Sequence, residues 1–184
     1  KDILNLVYIS KSLGLNEVAD YWHQVILMNN HQRERFAKNI IKTLYSTVSG
    51  KTIAFLGWAF KKDTNDTRES AAIYVADSLI DEQATIKVYD PKVTATQMQS
   101  DINYLNTRSE KQNTKYLKTE NDPYVAMEGV HAIAVLTEWD EFKKYDWQRI
   151  YNGMQKPAFV FDGRNVLDRK ALETIGFVYK GIGS

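Results

Sequence analysis

The residues best suited to chemistry in this chain are cations that follow short apolar runs. Lys61 and Lys62 come just after the run at 51–56 and Gly57, and Arg164 comes just after Phe161, Asp162 and Gly163. A lysine ammonium is a point charge that can meet a phosphate or a sugar hydroxyl, and an arginine guanidinium can grip a phosphate through two parallel hydrogen bonds. Delivered by different strands to one sheet edge, such groups describe an anion site; taken singly, they are also what a solvated loop carries. Arg68 is expected in the first turn of a helix capped by Asp66, with Glu69 three residues on. The helix dipole disfavours a cation there, which points to an anionic partner. Glu138 and Asp140, on either side of Trp139, read as exposed carboxylates at a helix start rather than as an acid/base pair, and Asp2 reads as a first-turn acid of the opening helix. His31 has no second ligand at i+4, so no metal site is expected.

These groups need elements to place them. Residues 3–13 carry an apolar helical pattern that stops at Gly14, and from Asn16, a candidate N-cap, helical spacing runs through Val18, Trp22, Val25, Phe36, Ile40 and Leu44. The spacing predicts one long helix over 16–47, with a polar interval at 29–35. A helix of about 30 residues exceeds what one small domain covers, so it is expected to link domains or to meet another subunit. After Ser49 and Gly50 the texture changes to short apolar runs at 51–56, 85–89, 131–136, 158–161 and 176–180, with helices expected at about 67–80 and 123–127. Apolar runs alternating with helices specify a parallel sheet covered on both faces, an α/β doubly wound fold whose ligands gather at the carboxyl ends of the strands. The stretch 94–119 is polar and shows no clear period, and it is read as a surface excursion without function.

The turn after 51–56 should read Gly-x-Gly-x-x-Gly if this sheet were to hold a dinucleotide in the usual way. It has Gly57, but Ala59 and Lys62 stand at the later positions, so this sheet is not expected to hold one so. The 184 residues carry 24 basic and 23 acidic side chains, a net charge of +1, which supplies no field for nucleic acid or an anionic membrane. No apolar run approaches the about 20 residues a bilayer requires. With no cysteine in the chain, disulfides, thiolate zinc sites and a cysteine nucleophile from these residues are excluded.

Several ordered motifs together resemble a known family. Gly57-x-Ala59-Phe60-Lys61, then Asp66-Thr67-Arg68-Glu69-Ser70, Tyr89-Asp90-Pro91, Thr137-Glu138-Trp139 and Phe161-Asp162-Gly163-Arg164 resemble the C-terminal part of the UDP-glucose/GDP-mannose dehydrogenases. The double lysine and the opening Lys1-Asp2-Ile3-Leu4-Asn5-Leu6 resemble the eukaryotic UDP-glucose branch. The resemblance spans nearly the whole chain. It implies a central helical, dimerising domain ending at residue 48 and a Rossmann-like UDP-binding domain over 50–184. The implied reaction is the NAD-dependent four-electron oxidation of UDP-glucose to UDP-glucuronate through a thioester on a cysteine upstream of Lys1. It further implies that Asp2 assists proton transfer and water activation, that Phe60, Lys61 and Arg164 contact the UDP-sugar, and that Arg68 reaches NAD held mainly by an N-terminal domain. The implied setting is a cytoplasmic homo-oligomer, dimeric through 16–47 and hexameric in animal members, with neither nucleic acid nor membrane as partner.

Overall fold

The computed structural model describes residues 2–183. Helix α1 (Asp2–Ser12) turns back at Gly14 onto α2 (Asn16–Thr43), and the two pack side by side. Asn16 is not the cap of α2. Leu15 N–H bonds back to Ser10 O at 2.9 Å and Leu15 O accepts from Ala19 N–H at 3.0 Å, so the tight turn between the helices puts Leu15 in the cap position and Asn16 inside the helix. The far end also falls short of residue 47, because Tyr45 and Ser46 take the left-handed conformation, with φ 65° and 60°. The last turns of α2 bury Ala37, Ile40 and Leu44, which join Val48 and the sheet in one hydrophobic core. Earlier in α2, Val18, Tyr21, Leu27 and Met28 are exposed.

Six parallel strands follow, β1 (Thr52–Leu56), β2 (Thr85–Tyr89), β3 (Leu117–Thr119), β4 (Ala132–Val135), β5 (Phe159–Asp162) and β6 (Val178–Gly181), in the order β3-β2-β1-β4-β5-β6. Register runs Phe55 beside Val88 on one side and beside Ala134 on the other, and Ala134 beside Phe161. Residues 53–56 of β1 and all of β4 are buried whichever face they point to, so both faces of the sheet are covered. The strand order reverses between β1 and β4, which opens a crevice at their carboxyl ends. The helices between the strands are α3 (Ala71–Asp81), α4 (Ala95–Tyr104), α5 (Glu110–Tyr116), α6 (Pro123–Met127), α7 (Trp147–Gly153) and α8 (Arg169–Ile175). The last strand starts two residues later than its apolar run because Gly176, at φ 120°, ends α8.

The stretch 94–119 is structured rather than a free excursion. Thr94 caps α4 by accepting Gln97 N–H at 3.2 Å, Ser109 and Gln112 form a reciprocal capping box for α5, and residues 117–119 add the edge strand β3 to β2. Met98 and Ile102 of α4 reach the core, and Arg108 pairs with Asp77 and Asp81 of α3. Among the described residues no helix is long and apolar enough to cross a membrane.

Candidate functional site at the β1–β4 crevice

β1 leaves the sheet through Gly57, whose φ of 95° a side chain would strain and whose missing Cβ would lie 2.4 Å from Thr137 Cβ. The next two residues are pinned. Trp58 N–H and Ala59 N–H donate to the buried Asp90 Oδ2 at 2.7 and 3.0 Å, Trp139 Nε1–H donates to the same oxygen at 3.1 Å, and Thr137 Oγ1–H donates to Ala59 O at 2.7 Å. Asp90 Oδ1 accepts Lys92 N–H and Val93 N–H, so one carboxylate at the end of β2 gathers five donors. From this anchor Phe60 emerges with 47% of its surface exposed. Lys61 beside it is exposed and makes no ion pair or hydrogen bond with the other described residues. Lys62 differs: its ammonium lies 2.7 Å from Asp140 Oδ2, and that hydrogen bond raises its pKa.

Arg164 is positioned in the same manner from β5. Asp162 is fully buried; its Oδ1 accepts Arg164 N–H at 3.0 Å, and its Oδ2 accepts Val166 N–H, Leu167 N–H and the Tyr179 hydroxyl. The Arg164 side chain then crosses the crevice. Its Nε–H donates to Leu136 O at 2.8 Å, its Nη2 donates to Phe60 O at 3.1 Å, and Glu138 Oε2 lies 3.4 Å from Nε. Three strand ends are thereby joined by one guanidinium, whose Nη1 has no protein partner among the described residues. Glu138 Oε1 also accepts Lys62 N–H at 3.3 Å. Glu138 and Asp140 are therefore salt-bridge partners of the crevice and its rim, and Asp140 is held down to about 2 by hydrogen bonds from Lys143 and Lys62.

Phe60 and Arg164 face a cleft of about 330 Å³ whose opposite wall is α2, through Asn29, Gln32, Arg33 and Phe36. None of these four was singled out in the sequence as a site residue, although 29–35 was recognisable as a polar interruption of an apolar stripe. A second cleft, of about 590 Å³, lies between α1 and α4 and is lined by Leu4, Asn5, Arg68, Tyr74 and Tyr104. Arg68 belongs to this second cleft. It does not lie in the first turn of a helix: Ser70 caps α3, accepting Ala72 N–H at 3.3 Å, and Glu69 at φ 62° turns the chain before it. Asp66 caps nothing. Its carboxylate takes Arg68 N–H, Nε–H and Nη2 at 3.1, 2.8 and 2.6 Å, which raises the guanidinium pKa. The dipole argument for Arg68 falls away, because the cation stands outside the helix and already has a carboxylate. Asp2 is exposed in the first turn of α1, two residues before Leu4.

A dinucleotide pyrophosphate does not fit the β1 turn. The two amides that would face it, from Trp58 and Ala59, are consumed by Asp90, and the space beside Gly57 is filled by Thr137. Among the described residues no group of three or more His, Cys, Asp or Glu could hold a metal ion.

A doubly wound sheet with a crevice at its switch point, lined by cationic side chains and lacking a glycine-rich loop, is the architecture of a nucleotide-binding α/β domain. Residues 54–169 match the UDP binding domain of the UDP-glucose/GDP-mannose dehydrogenase family, and the chain belongs to that family. Over its whole length it is 51% identical to the UDP-glucose 6-dehydrogenase of Rattus norvegicus and 48% identical to UDP-glucose 6-dehydrogenase 2 of Oryza sativa subsp. japonica, covering 38% and 40% of those proteins. The chain thus spans about two fifths of the length of these curated relatives. In solved structures, 98% of the chain superposes on 36% of a UDP-glucose dehydrogenase from the archaeon Pyrobaculum islandicum, with a TM-score of 0.68 at 25% identity.

Proposed function

We propose that this chain forms the C-terminal part of a UDP-glucose 6-dehydrogenase, binding the UDP-sugar and completing an active site for NAD-dependent oxidation of UDP-glucose to UDP-glucuronate. The observation that carries the reading is Arg164, which ties Phe60 and Leu136 together at the switch point and keeps one nitrogen for a ligand. In this reading the free Lys61 ammonium and Arg164 Nη1 neutralise the anionic end of the substrate, while Phe60 supplies an apolar face beside them. Asp2 stands at the start of α1 as the carboxylate that assists proton transfer and takes the proton of the attacking water. Two molecules of NAD, bound in succession, would supply the oxidant, one hydride acceptor for each two-electron step. Since the β1 turn does not fit the NAD pyrophosphate, the contribution of these residues is limited to the Arg68 cation at the second cleft. Residues 1–48 form the end of a helical, dimer-forming domain and 50–184 the UDP-binding domain. The close identity to proteins named UDP-glucose 6-dehydrogenase supports the choice of sugar nucleotide.

Calorimetric titration tests the site. UDP-glucose is expected to bind the chain with Kd between about 1 μM and 1 mM, more tightly than GDP-mannose, and Arg164→Ala is expected to weaken it at least about tenfold. Binding indifferent to Arg164 refutes the site, and tighter binding of GDP-mannose reassigns the substrate. A stable dimer with no nucleotide affinity would make the chain an assembly module instead.

A further inference from the structure

Arg33 lies midway along α2, in the polar interval to which the sequence assigns no role. Its side chain is only 18% exposed and is turned onto the segment just after Arg68. Nη2 donates to Glu69 O at 2.8 Å, Nη1 and Nη2 both lie 3.4 Å from Glu69 Oε2, and the guanidinium carbon sits 4.2 Å from the centroid of the Tyr74 ring. The Tyr74 hydroxyl donates to the other carboxylate oxygen, Glu69 Oε1, at 3.0 Å. Glu69 is a non-glycine residue at φ 62°, a conformation that persists where its surroundings over-determine it. Here one guanidinium takes both its carbonyl and its carboxylate. Glu69 is also a wall shared by the two clefts, lining the one that holds Phe60 and Arg164 and the one that holds Arg68.

We propose that Arg33 is a positioning residue which, by clamping Glu69, fixes the 66–70 turn and so sets the wall of the sugar-nucleotide cleft and the direction of Arg68 on its far side. The proposal deepens the function given above and rests on it for the assignment of the second cleft to NAD. Arg33 acts through Glu69 rather than on a ligand, since its fork and its face are already engaged. Lysine cannot stand in for it, because a point charge does not span a carbonyl and a carboxylate while stacking on a ring.

The test uses the full-length enzyme with Arg33→Lys, Arg33→Gln, Arg68→Ala and the double variant Arg33→Gln/Arg68→Ala. Both Arg33 variants are expected to speed hydrogen exchange at the amides of Arg68, Ser70 and Ala72, which are bonded within the turn, while β1 and β4 keep their protection. They are also expected to raise the KM for NAD about tenfold, and Arg68→Ala should add little to that in the double variant. Unchanged exchange in the turn overturns the clamp, as do additive effects in the double variant when Arg68→Ala alone raises the KM. Loss of protection spread over the whole sheet overturns it as well, by making Arg33 a general fold residue. If Arg68→Ala alone leaves the KM for NAD unchanged, the cofactor role of Arg68 is what fails, and exchange confined to the turn or absent from it then decides the clamp by itself.

Discussion

Two buried carboxylates, Asp90 and Asp162, hold the loops that shape the crevice. Asp90 and Asp162 each stand at the last position of a strand or just after it, and each collects the amides of the loop that the site needs. A hydrogen bond to a charged acceptor contributes about 1.5–3 kcal/mol, and an unpaired buried donor costs a similar amount. Asparagine at 162 can keep one oxygen toward Val166, Leu167 and Tyr179, but its NH2 then meets Arg164 N–H, donor against donor. Asp162→Asn is therefore expected to lower stability by about 2–3 kcal/mol, read as a lower midpoint in urea at unchanged slope, and to weaken UDP-glucose binding together with it. Full affinity in a folded variant would show that the Arg164 turn does not depend on this carboxylate. A second residue-scale prediction concerns alkali. Tyr89 donates its hydroxyl proton to Glu141 at 2.9 Å and is pushed up to about 12, first by burial and then by that hydrogen bond, while Tyr145, bonded to the same oxygen, is raised further. Between its unfolded value of about 10 and its folded one the native state holds a proton that the unfolded chain has lost, so stability is complete below pH of about 10 and falls as the pH rises toward 12. Tyr89→Phe should flatten that fall in denaturation midpoints measured across the window; an identical slope in both proteins would refute the assignment.

At the scale of elements, α2 has two faces in different surroundings. Its last turns bury Ala37, Ile40 and Leu44 in the sheet's core, but Val18, Tyr21 and Met28, which helical spacing puts on one side, are exposed. If α2 is the dimer helix of the proposed function, Tyr21→Glu/Met28→Glu should shift the mass seen by light scattering from dimer to monomer, with the sheet's unfolding midpoint nearly unchanged. A dimer that survives both charges would place the contact elsewhere. β1, β4 and β5 were legible because each is a continuous apolar run, which a strand buried on both faces requires, and β2 and β6 because they are short runs of β-branched and aromatic residues interrupted only by one lysine each. β3 was not, since an edge strand of three residues with one buried side chain, Leu117, has no such run. α4 was hidden for a related reason: Met98 and Ile102 are four apart in an otherwise polar stretch, too few for a period to stand out. The start of α3 was misread because Asp66 and Glu69 have the spacing of a capping box, whereas the left-handed Glu69 moves the cap to Ser70. In that conformation Glu69 O accepts a hydrogen bond from Arg33, which is 36 residues away in sequence and cannot be seen in local spacing. The site shows the same division. Phe60, Lys61 and Arg164 are candidates by their motifs, and Phe60 and Arg164 line the cleft, but its α2 wall comes from tertiary packing alone.

Over the whole molecule, the cleft is closed by two parts that share one core. The end of α2 is built into the sheet's hydrophobic interior, which sets the Asn29–Phe36 wall opposite Phe60 and Arg164. A ligand that bridges this cleft binds the folded state alone and must raise its stability by mass action, by about 2.7 kcal/mol at a hundred times Kd. UDP-glucose and UDP are thus both expected to raise the thermal midpoint of the 184-residue chain, in proportion to the logarithm of their concentration. Turnover is a different matter. With no cysteine in its sequence and the amides after β1 already taken by Asp90, this chain supplies neither a thiol nucleophile nor a pyrophosphate cradle. Mixed with UDP-glucose and NAD, a pure sample is expected to shift its midpoint and yet release no NADH, as followed by absorbance. NADH release that scales with the chain's concentration would mean that its own residues complete the chemistry, and would overturn the division of labour in which the sheet edge holds the substrate while oxidation requires residues outside these 184.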